Sequence, residues 1–244
     1  MFSFFKRSSK EPFPFDLLKT DFHSHILPGI DDGSPDPETS ISLIKGLIDL
    51  GYENFVGTPH VMEDIWKNDN QSISNSHSLL NAPLKEASID NEIRYAAEYL
   101  VDANFENLLS KKEKLLTIKD NWVLIEVSFI ASPPQLREVI FEMQLQGYQP
   151  VFAHPERYNY YHHRKNALEE ISNAGCLLQC NLLSFAGYYG PNVLKAAESL
   201  ATNNMVDLLG TDLHHQRHLE ALQQLKLTKG LGLAMDSVLK SDKS

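Results

Sequence analysis

The 244-residue sequence predicts an α/β fold, a barrel in which seven parallel strands alternate with helices. Two features of the chain predict it. Short apolar runs alternate with stretches of helical pattern from residue 17 onward. Polar side chains follow these runs, and the sites of α/β barrels gather at the carboxyl ends of their strands. The length of 244 residues suits one barrel domain.

The seven predicted strands are short and mostly apolar. They span residues 17–25, 54–58, 93–98, 122–128, 149–153, 177–181 and 206–211. The apolar neighbours within 122–128 indicate a strand that is buried on both faces, as in a parallel sheet. Predicted helices cover residues 34–51, 102–112, 133–147, 163–174, 191–203 and part of the chain after 216.

The first predicted helix has clear signals at both ends. Ser34 is expected to cap it, because a serine oxygen can accept a hydrogen bond from the first turn, and Pro35 suits the first helical position. Ile41 and Ile44 begin its buried stripe. Gly51 is expected to end it.

Two segments fall outside this alternation. Residues 1–16 are predicted to be a flexible lead, since Pro12 and Pro14 interrupt regular structure. Weak contact of its aromatic and basic residues with a membrane surface is the alternative. Residues 61–82 are polar and follow a strand, which predicts a lid or substrate loop, with an ordinary surface helix as the alternative. The remainder, 17–244, is predicted to be a single domain.

The composition excludes several classes of function. There are 32 acidic and 22 basic residues, and the net charge of −10 argues against a nucleic-acid-binding surface. Two cysteines, Cys176 and Cys180, do not make a disulfide framework and fit a reducing cytoplasm. The sixth residue after them is Leu182 and Ala186 respectively, so the Cys-x5-Arg motif of cysteine phosphatases is absent. No apolar run approaches the roughly 20 residues that span a bilayer.

Side chains of metal-ligand type collect at the predicted strand ends. His23 and His25 lie two residues apart on the first strand, so both imidazoles face the same side. The candidate ligands are His23, His25, Asp32, His60, Glu98, Glu126, His154, Asp212 and His214. Mixed imidazole and carboxylate ligands suit Mn, Fe or Zn, whereas Ca and Mg prefer oxygen alone. Buried ion pairs are the alternative, but they are costly and rarely this numerous.

Four longer motifs resemble those of a known family. They are His-Ser-His-Ile-Leu-Pro-Gly-Ile-Asp-Asp-Gly at 23–33, Thr-Pro-His at 58–60, His-Pro-Glu-Arg-Tyr at 154–158 and Gly-Thr-Asp-Leu-His at 210–214. Together they resemble the polymerase-and-histidinol-phosphatase (PHP) superfamily. The first and third motifs are similar to those of its bacterial capsule-associated tyrosine phosphatases, the manganese-dependent partners of bacterial tyrosine kinases.

The resemblance implies a distorted seven-stranded barrel that holds two or three metal ions, Mn or alternatively Fe, Zn or Mg. The implied ligands of the first ion are His23, His25, Glu98 and Asp212. Those of the second are Glu98, Glu126 and His154, with Glu98 bridging. Those of the third are Asp32, His60 and His214.

The implied activity is hydrolysis of phosphotyrosine on a bacterial tyrosine kinase of capsule or exopolysaccharide synthesis, met at the cytoplasmic face of the membrane. A hydroxide held by metals would attack phosphorus. Arg157 is expected to hold the phosphoryl oxygens, because a guanidinium donates two parallel hydrogen bonds. Arg217 is a second candidate for that role, with a surface arginine as the alternative.

Two other functions remain open from the sequence. One is a small-molecule phosphatase of the histidinol-phosphate type, and the other is a regulator that binds a kinase tail without turning it over. The native metal, the protein substrate, the oligomeric state and the role of residues 61–82 are also left open. His215 and His218 are expected to support the site or lie at the surface.

Overall fold

A computed structural model describes residues 11–164 and 166–241 and has an α/β fold built on parallel strands. The strands of the described residues are β1 (Thr20–Ser24), β2 (Asn54–Gly57), β3 (His60–Val61), β4 (Glu92–Tyr95), β5 (Glu98–Leu100), β6 (Trp122–Glu126), β7 (Gln149–Ala153), β8 (Leu177–Asn181) and β9 (Leu208–Gly210). One sheet has the order β1-β2-β4 and the other β3-β5-β6-β7-β8-β9. All the pairings between these strands are parallel.

One predicted strand is divided and another is followed by a short strand that the sequence does not predict, so the count differs from the predicted seven. The chain leaves β2 and enters β3 after Thr58 and Pro59, and Pro59 has no N–H to donate to a ladder. The predicted strand 93–98 divides into β4 and β5. Hydrogen bonds from Ala96 N to Gly57 O (2.8 Å) and from Glu98 N to Pro59 O (3.0 Å) run across both breaks.

The helices of the described residues lie between the strands. They are α1 (Pro37–Leu50), α2 (Asn70–Ser78), α3 (Asn81–Glu86), α4 (Ala103–Ser110), α5 (Leu136–Leu145), α6 (Ala167–Asn173), α7 (Pro191–Thr202), α8 (Gln216–Gln223) and α9 (Lys229–Ser241). The predicted cap of α1 is wrong. Asp36 caps it by accepting a hydrogen bond from Thr39 N at 2.8 Å, and the Ser34 hydroxyl donates to Asp36 O instead. Gly51 ends the helix with φ of 109°, as predicted.

The segment predicted as a lid or a helix contains both a loop and helices. Residues 62–69 form an irregular loop, and α2 and α3 follow it. Asp69 caps α2 reciprocally with Ser72: each side chain bonds the other's backbone N–H, at 2.7 and 3.0 Å. The loop therefore ends at a defined helix start.

The prediction of a flexible lead over residues 1–16 is wrong for residues 11–16. Phe13 and Phe15 are buried in the main core, where their rings contact each other edge to face at 4.8 Å. Prolines interrupt regular structure, but an irregular chain can still bury its aromatic side chains. Residues 1–10, with the predicted membrane-surface contact, lie outside the described residues.

The main core draws on side chains from Phe13 to Met235. The prediction of one domain stays a prediction, with its start moved back to include Phe13. None of the described helices has the length and apolar character that a bilayer span requires.

Candidate metal centre

Eight of the nine predicted ligands lie within or just after a strand, and all nine converge. His23 is in β1, His60 and Glu98 begin β3 and β5, and Glu126 ends β6. His154 follows β7 directly. The ligand atoms form four overlapping groups, each spanning less than 4.8 Å: His25, Asp32, His60, His214; His23, His154, Asp212; His23, His25, Glu98; and His60, Glu98, Glu126.

The innermost group is fully buried and joins the two histidines of the first motif to two carboxylates. The Nε2 atoms of His23 and His25 both lie 3.4 Å from Asp212 Oδ1. They lie 3.4 and 3.5 Å from the two oxygens of Glu98. These four residues are the ligands that the resemblance implies for a first metal.

The second group shares Glu98 with the first. His154 Nε2 lies 2.9 Å from Glu98 Oε1 and 4.0 Å from Glu126 Oε2. His60 Nδ1 is also close, 2.8 Å from Glu126 Oε1. Glu98 therefore lies within contact distance of histidines from both groups.

The third group is the most exposed. Asp32 Oδ1 lies 3.4 Å from His60 Nε2 and 3.6 Å from His214 Nε2. The His214 ring stacks on His25 with centroids 3.8 Å apart. Because His60 presents Nδ1 to the second group and Nε2 to the third, it lies between the two.

The buried oxygens of this centre fit a set of cations. Glu98 Oε2 and Asp212 Oδ1 are buried and accept no hydrogen bond from any described residue. Burial alone would raise the pKa of Glu98, but the imidazoles of His23 and His154 hold it well below its ordinary value. A buried carboxylate oxygen without a hydrogen bond is costly, and a divalent cation would satisfy it. The nitrogen and oxygen ligands suit Mn, Fe or Zn.

Asp31 supports the centre and was missed in favour of its neighbour Asp32. Its Oδ2 lies 2.7 Å from His25 Nδ1, and its Oδ1 accepts a hydrogen bond from Gly33 N at 2.9 Å. When Asp31 accepts a hydrogen bond from His25 Nδ1–H, the Nε2 atom of His25 carries no hydrogen and can bind a metal. The motif offered two adjacent aspartates, and no rule of spacing separates a ligand from its support.

Gln179 and Asn181 form a second supporting chain that the sequence analysis also missed. Gln179 Oε1 lies 2.7 Å from His23 Nδ1, and Gln179 Nε2 donates to Asn181 Oδ1 at 3.0 Å. Asn181 Nδ2 in turn donates to Asp212 Oδ2 at 2.6 Å. The available signal was two polar residues at alternate positions of an apolar strand, which place both side chains on one face.

Arg157 lines the cavity beside the candidate ligands. Its Nη1 donates to Asp212 Oδ2 at 2.7 Å. The guanidinium lies over the ring of Tyr189 at 4.5 Å and over that of Phe129 at 5.0 Å, so aromatic faces hold it on two sides. Arg217 is exposed on α8 and does not line the site cavity, which gives no support to its predicted role.

Two candidate ligands have a backbone conformation that is unfavourable for residues other than glycine. His154 has φ of 37° and Asp212 has φ of 51°, both in the left-handed region. His154 precedes a 3-10 turn, Pro155–Arg157, that carries Arg157 toward the same centre. The strained turn thereby places a ligand and the arginine side by side.

A cavity of about 520 Å³ opens over the metal centre. The candidate ligands His60, Glu126 and His214 form part of its wall, and Arg157 forms another part. His218 also lines it, and burial together with neighbouring His215 lowers the pKa of His218 to about 4. Both of these histidines contribute to the cavity wall, in line with the predicted supporting or surface role.

Comparison with known proteins identifies the family. Residues 19–225 match the model of a family described as capsular polysaccharide synthesis, CpsB/CapC. The chain belongs to this family. The resemblance to capsule-associated tyrosine phosphatases, drawn from the four motifs, is confirmed at this level.

Two curated relatives and one solved structure agree with that assignment. The tyrosine-protein phosphatase YwqE of Bacillus subtilis is 28% identical over 195 residues, which cover 80% of this chain and 77% of YwqE. The tyrosine-protein phosphatase CpsB of Streptococcus pneumoniae is 27% identical over 201 residues, covering 80% and 82%. A crystal structure from work on these two metal-dependent tyrosine phosphatases aligns with a TM-score of 0.76 at 26% identity, covering 92% of this chain and 88% of the other.

Proposed function

We propose that this protein is a metal-dependent protein-tyrosine phosphatase. The observation that carries the proposal is the convergence of nine ligand-type side chains beneath a cavity that also holds the Arg157 guanidinium. The ligands account for metal binding, and the arginine adds a group that recognises phosphate. Relatives across most of the chain are tyrosine-protein phosphatases.

His23, His25, Glu98 and Asp212 would hold one ion, Glu98, Glu126 and His154 a second, and Asp32, His60 and His214 a third. Bound there, the metals would supply an ionised water as nucleophile and positive charge for the phosphoryl oxygens. We propose Mn as the native metal, with Fe, Zn or Mg as alternatives. The mixed nitrogen and oxygen ligands support the first three over Mg.

Arg157 would hold the phosphoryl group in line for attack. Its hydrogen bond to Asp212 fixes one edge of the guanidinium, and the rings of Phe129 and Tyr189 cover its faces. The remaining N–H donors can then point into the cavity without a large loss of side-chain freedom on binding. Donors fixed before the reaction stabilise the transition state more than mobile ones.

The leaving group favours tyrosine over serine and threonine. A phenolate has a pKa of about 10 and leaves with little help from a general acid, whereas an alkoxide needs protonation. A tyrosine side chain is also long enough to carry its phosphate down to buried ligands from the mouth of the cavity. The proposed substrate is the phosphotyrosine tail of a bacterial tyrosine kinase of capsule or exopolysaccharide synthesis, in the cytoplasm.

We also infer that the two sheets form one distorted seven-stranded barrel. The hydrogen bonds across the breaks support treating β2 with β3, and β4 with β5, as continuous paths. Asp212 N donates to His23 O at 2.8 Å and His25 N to Leu213 O at 2.9 Å, which joins the end of β9 to β1. Closure at that seam is what would bring Asp212 to the histidines of β1.

The test compares four substrates at one metal concentration: a phosphotyrosine peptide, matched phosphoserine and phosphothreonine peptides, and histidinol phosphate. We expect kcat/KM to be highest for phosphotyrosine, and chelation by EDTA to abolish hydrolysis until Mn²⁺ is restored. An advantage of tenfold or more for histidinol phosphate would favour the small-molecule phosphatase. Peptide binding without turnover in metal-loaded protein would favour the non-catalytic regulator.

A further inference from the structure

Two loops at the mouth of the cavity expose large apolar side chains. We call residues 62–69 and 127–135 the mouth loops. Ile65 in the first is 69% exposed, and Phe129 in the second is 50% exposed. Both side chains line the cavity above the metal centre. Apolar groups gathered at one cavity mouth mark a binding surface more often than apolar residues scattered singly.

The 62–69 loop is fixed by hydrogen bonds and therefore holds Ile65 outward. Met62 N donates to Trp66 O at 2.9 Å, which closes the loop on itself. Glu63 N donates to Asp102 Oδ2 at 2.9 Å, tying the loop to the start of α4. Asn68 Nδ2 donates to His60 O at 2.8 Å, tying it to a metal-ligand residue. A surface that is fixed in advance loses little entropy when a ligand binds.

The 127–135 loop is fixed in a similar way beside the arginine. Val127 N donates to the Tyr158 hydroxyl at 3.1 Å, and the Tyr160 hydroxyl donates to Ser128 O at 2.9 Å. The Phe129 ring lies 5.0 Å from that of Tyr158. The exposed face of Phe129 therefore continues outward from the part of the cavity that holds Arg157.

The charges of the mouth loops indicate which peptides they accept. Glu63 and Asp64 are exposed next to Ile65. Lys67 is the only basic residue of the two loops, and the 127–135 loop carries no charged side chain. An acidic side chain beside the substrate tyrosine would meet like charge, whereas an apolar one would bury surface against Ile65 or Phe129.

We infer that the mouth loops bind the peptide on either side of the phosphotyrosine and select apolar neighbours over acidic ones. The inference rests on the proposed function, because it assumes that a phosphotyrosine enters the cavity. The occupant is a peptide, since Ile65 and Phe129 line the mouth of the cavity that would receive the phosphotyrosine, and they lie on two different loops.

The experiment uses three soluble seven-residue peptides with a central phosphotyrosine that has leucine, glycine or glutamate on both sides. With the Mn²⁺-loaded full chain, we expect kcat/KM for the leucine peptide to exceed that for the glycine peptide about five- to tenfold, from partial burial of two side chains. The glutamate peptide should fall below the glycine peptide. Equal values for leucine and glycine, or a preference for glutamate, would overturn the inference.

Ile65→Ser tests the surface directly. The quantity compared is the leucine-to-glycine ratio of kcat/KM within each variant, so any change in the chemical step cancels. We expect the ratio to fall toward one in Ile65→Ser and to stay at the wild-type value in Leu145→Ser. Leu145 is the matched control because it is 65% exposed on α5 and does not line the cavity. If Ile65→Ser keeps the wild-type ratio, Ile65 does not bind the residues beside the phosphotyrosine, and the inference is wrong.

The outcomes also separate this inference from the function on which it rests. If the metal-loaded protein hydrolyses none of the three peptides, the proposed phosphatase activity fails, and the inference fails with it. If it hydrolyses all three at similar rates, the activity stands and only the selection of apolar neighbours is refuted.

Discussion

Replacing Asp31 by asparagine should weaken metal binding although Asp31 is not one of the proposed metal ligands. The carboxylate has two oxygens in use: Oδ2 lies 2.7 Å from His25 Nδ1, and Oδ1 accepts from Gly33 N at 2.9 Å. Asparagine offers one acceptor oxygen and one NH2 group of nearly the same shape. If its oxygen faces Gly33, the NH2 group faces His25 and favours the tautomer whose Nε2 carries a hydrogen. That tautomer cannot ligate a metal through Nε2.

The expected loss of metal affinity follows from the hydrogen bond that the substitution removes. A hydrogen bond to a charged group contributes about 1.5–3 kcal/mol, and each 1.4 kcal/mol corresponds to a tenfold change in affinity. If asparagine keeps the bond to His25, its NH2 group faces the Gly33 N–H and two donors oppose each other, so neither orientation is free of cost. We therefore expect the dissociation constant of the metal held by His25 to rise roughly 10- to 100-fold, the range typical of groups behind metal ligands.

The assay is a titration of the metal-free protein with Mn²⁺. Calorimetry measures metal binding, and hydrolysis of a phosphotyrosine peptide measures activity at each Mn²⁺ concentration. Asp36→Asn is the matched control, because Asp36 caps α1 and asparagine caps a helix equally well. The Mn²⁺ concentration at half-maximal activity should rise in Asp31→Asn alone. If both variants titrate like the wild type, Asp31 does not orient His25, and the reasoning about the tautomer is wrong.

Two further predictions concern catalysis. Arg157→Ala should lower kcat on the order of 10²–10³-fold, as for loss of one fixed donor to the transition state, while metal stoichiometry by elemental analysis stays that of the wild type. Arg217→Ala, at an exposed position, should change kcat less than about twofold. A large loss in Arg217→Ala with a small one in Arg157→Ala would mean that Arg217 holds the phosphoryl group. Burial raises the pKa of Cys176 and of Cys180, so iodoacetamide at neutral pH should leave phosphatase activity intact, and rapid inactivation would contradict a mechanism without cysteine.

The strands that the sequence predicts to the residue are those bounded by strong signals. Gln149–Ala153 and Leu177–Asn181 match their predicted limits, since a glycine shortly before each marks the end of the preceding helix and a mostly apolar stretch follows. The break between β4 and β5 has no such signal. Ala96 and Ala97 continue the apolar run, and the interruption depends on bonds from neighbouring strands that only the folded chain provides.

The candidate ligands were predictable because histidines and carboxylates at strand ends form a recognisable pattern. Their supports were not, because glutamine and asparagine have many ordinary uses in proteins and Gln179 differs from them only by its partner, His23. The buried start of the chain was missed for a different reason. Pro12 and Pro14 predict irregular backbone correctly, but irregular backbone and lack of order are separate properties, as buried Phe13 shows.

The left-handed turns at His154 and Asp212 set a limit on how far this protein can be stabilised. Glycine at either position would relieve backbone strain by an amount on the order of 1–2 kcal/mol. The same substitution would remove a proposed metal ligand. A screen that rewards thermal resistance in the absence of metal should therefore favour inactive variants at these two positions. Engineering this protein for durability would need selection with metal present, so that stability and chemistry are measured on the same molecule.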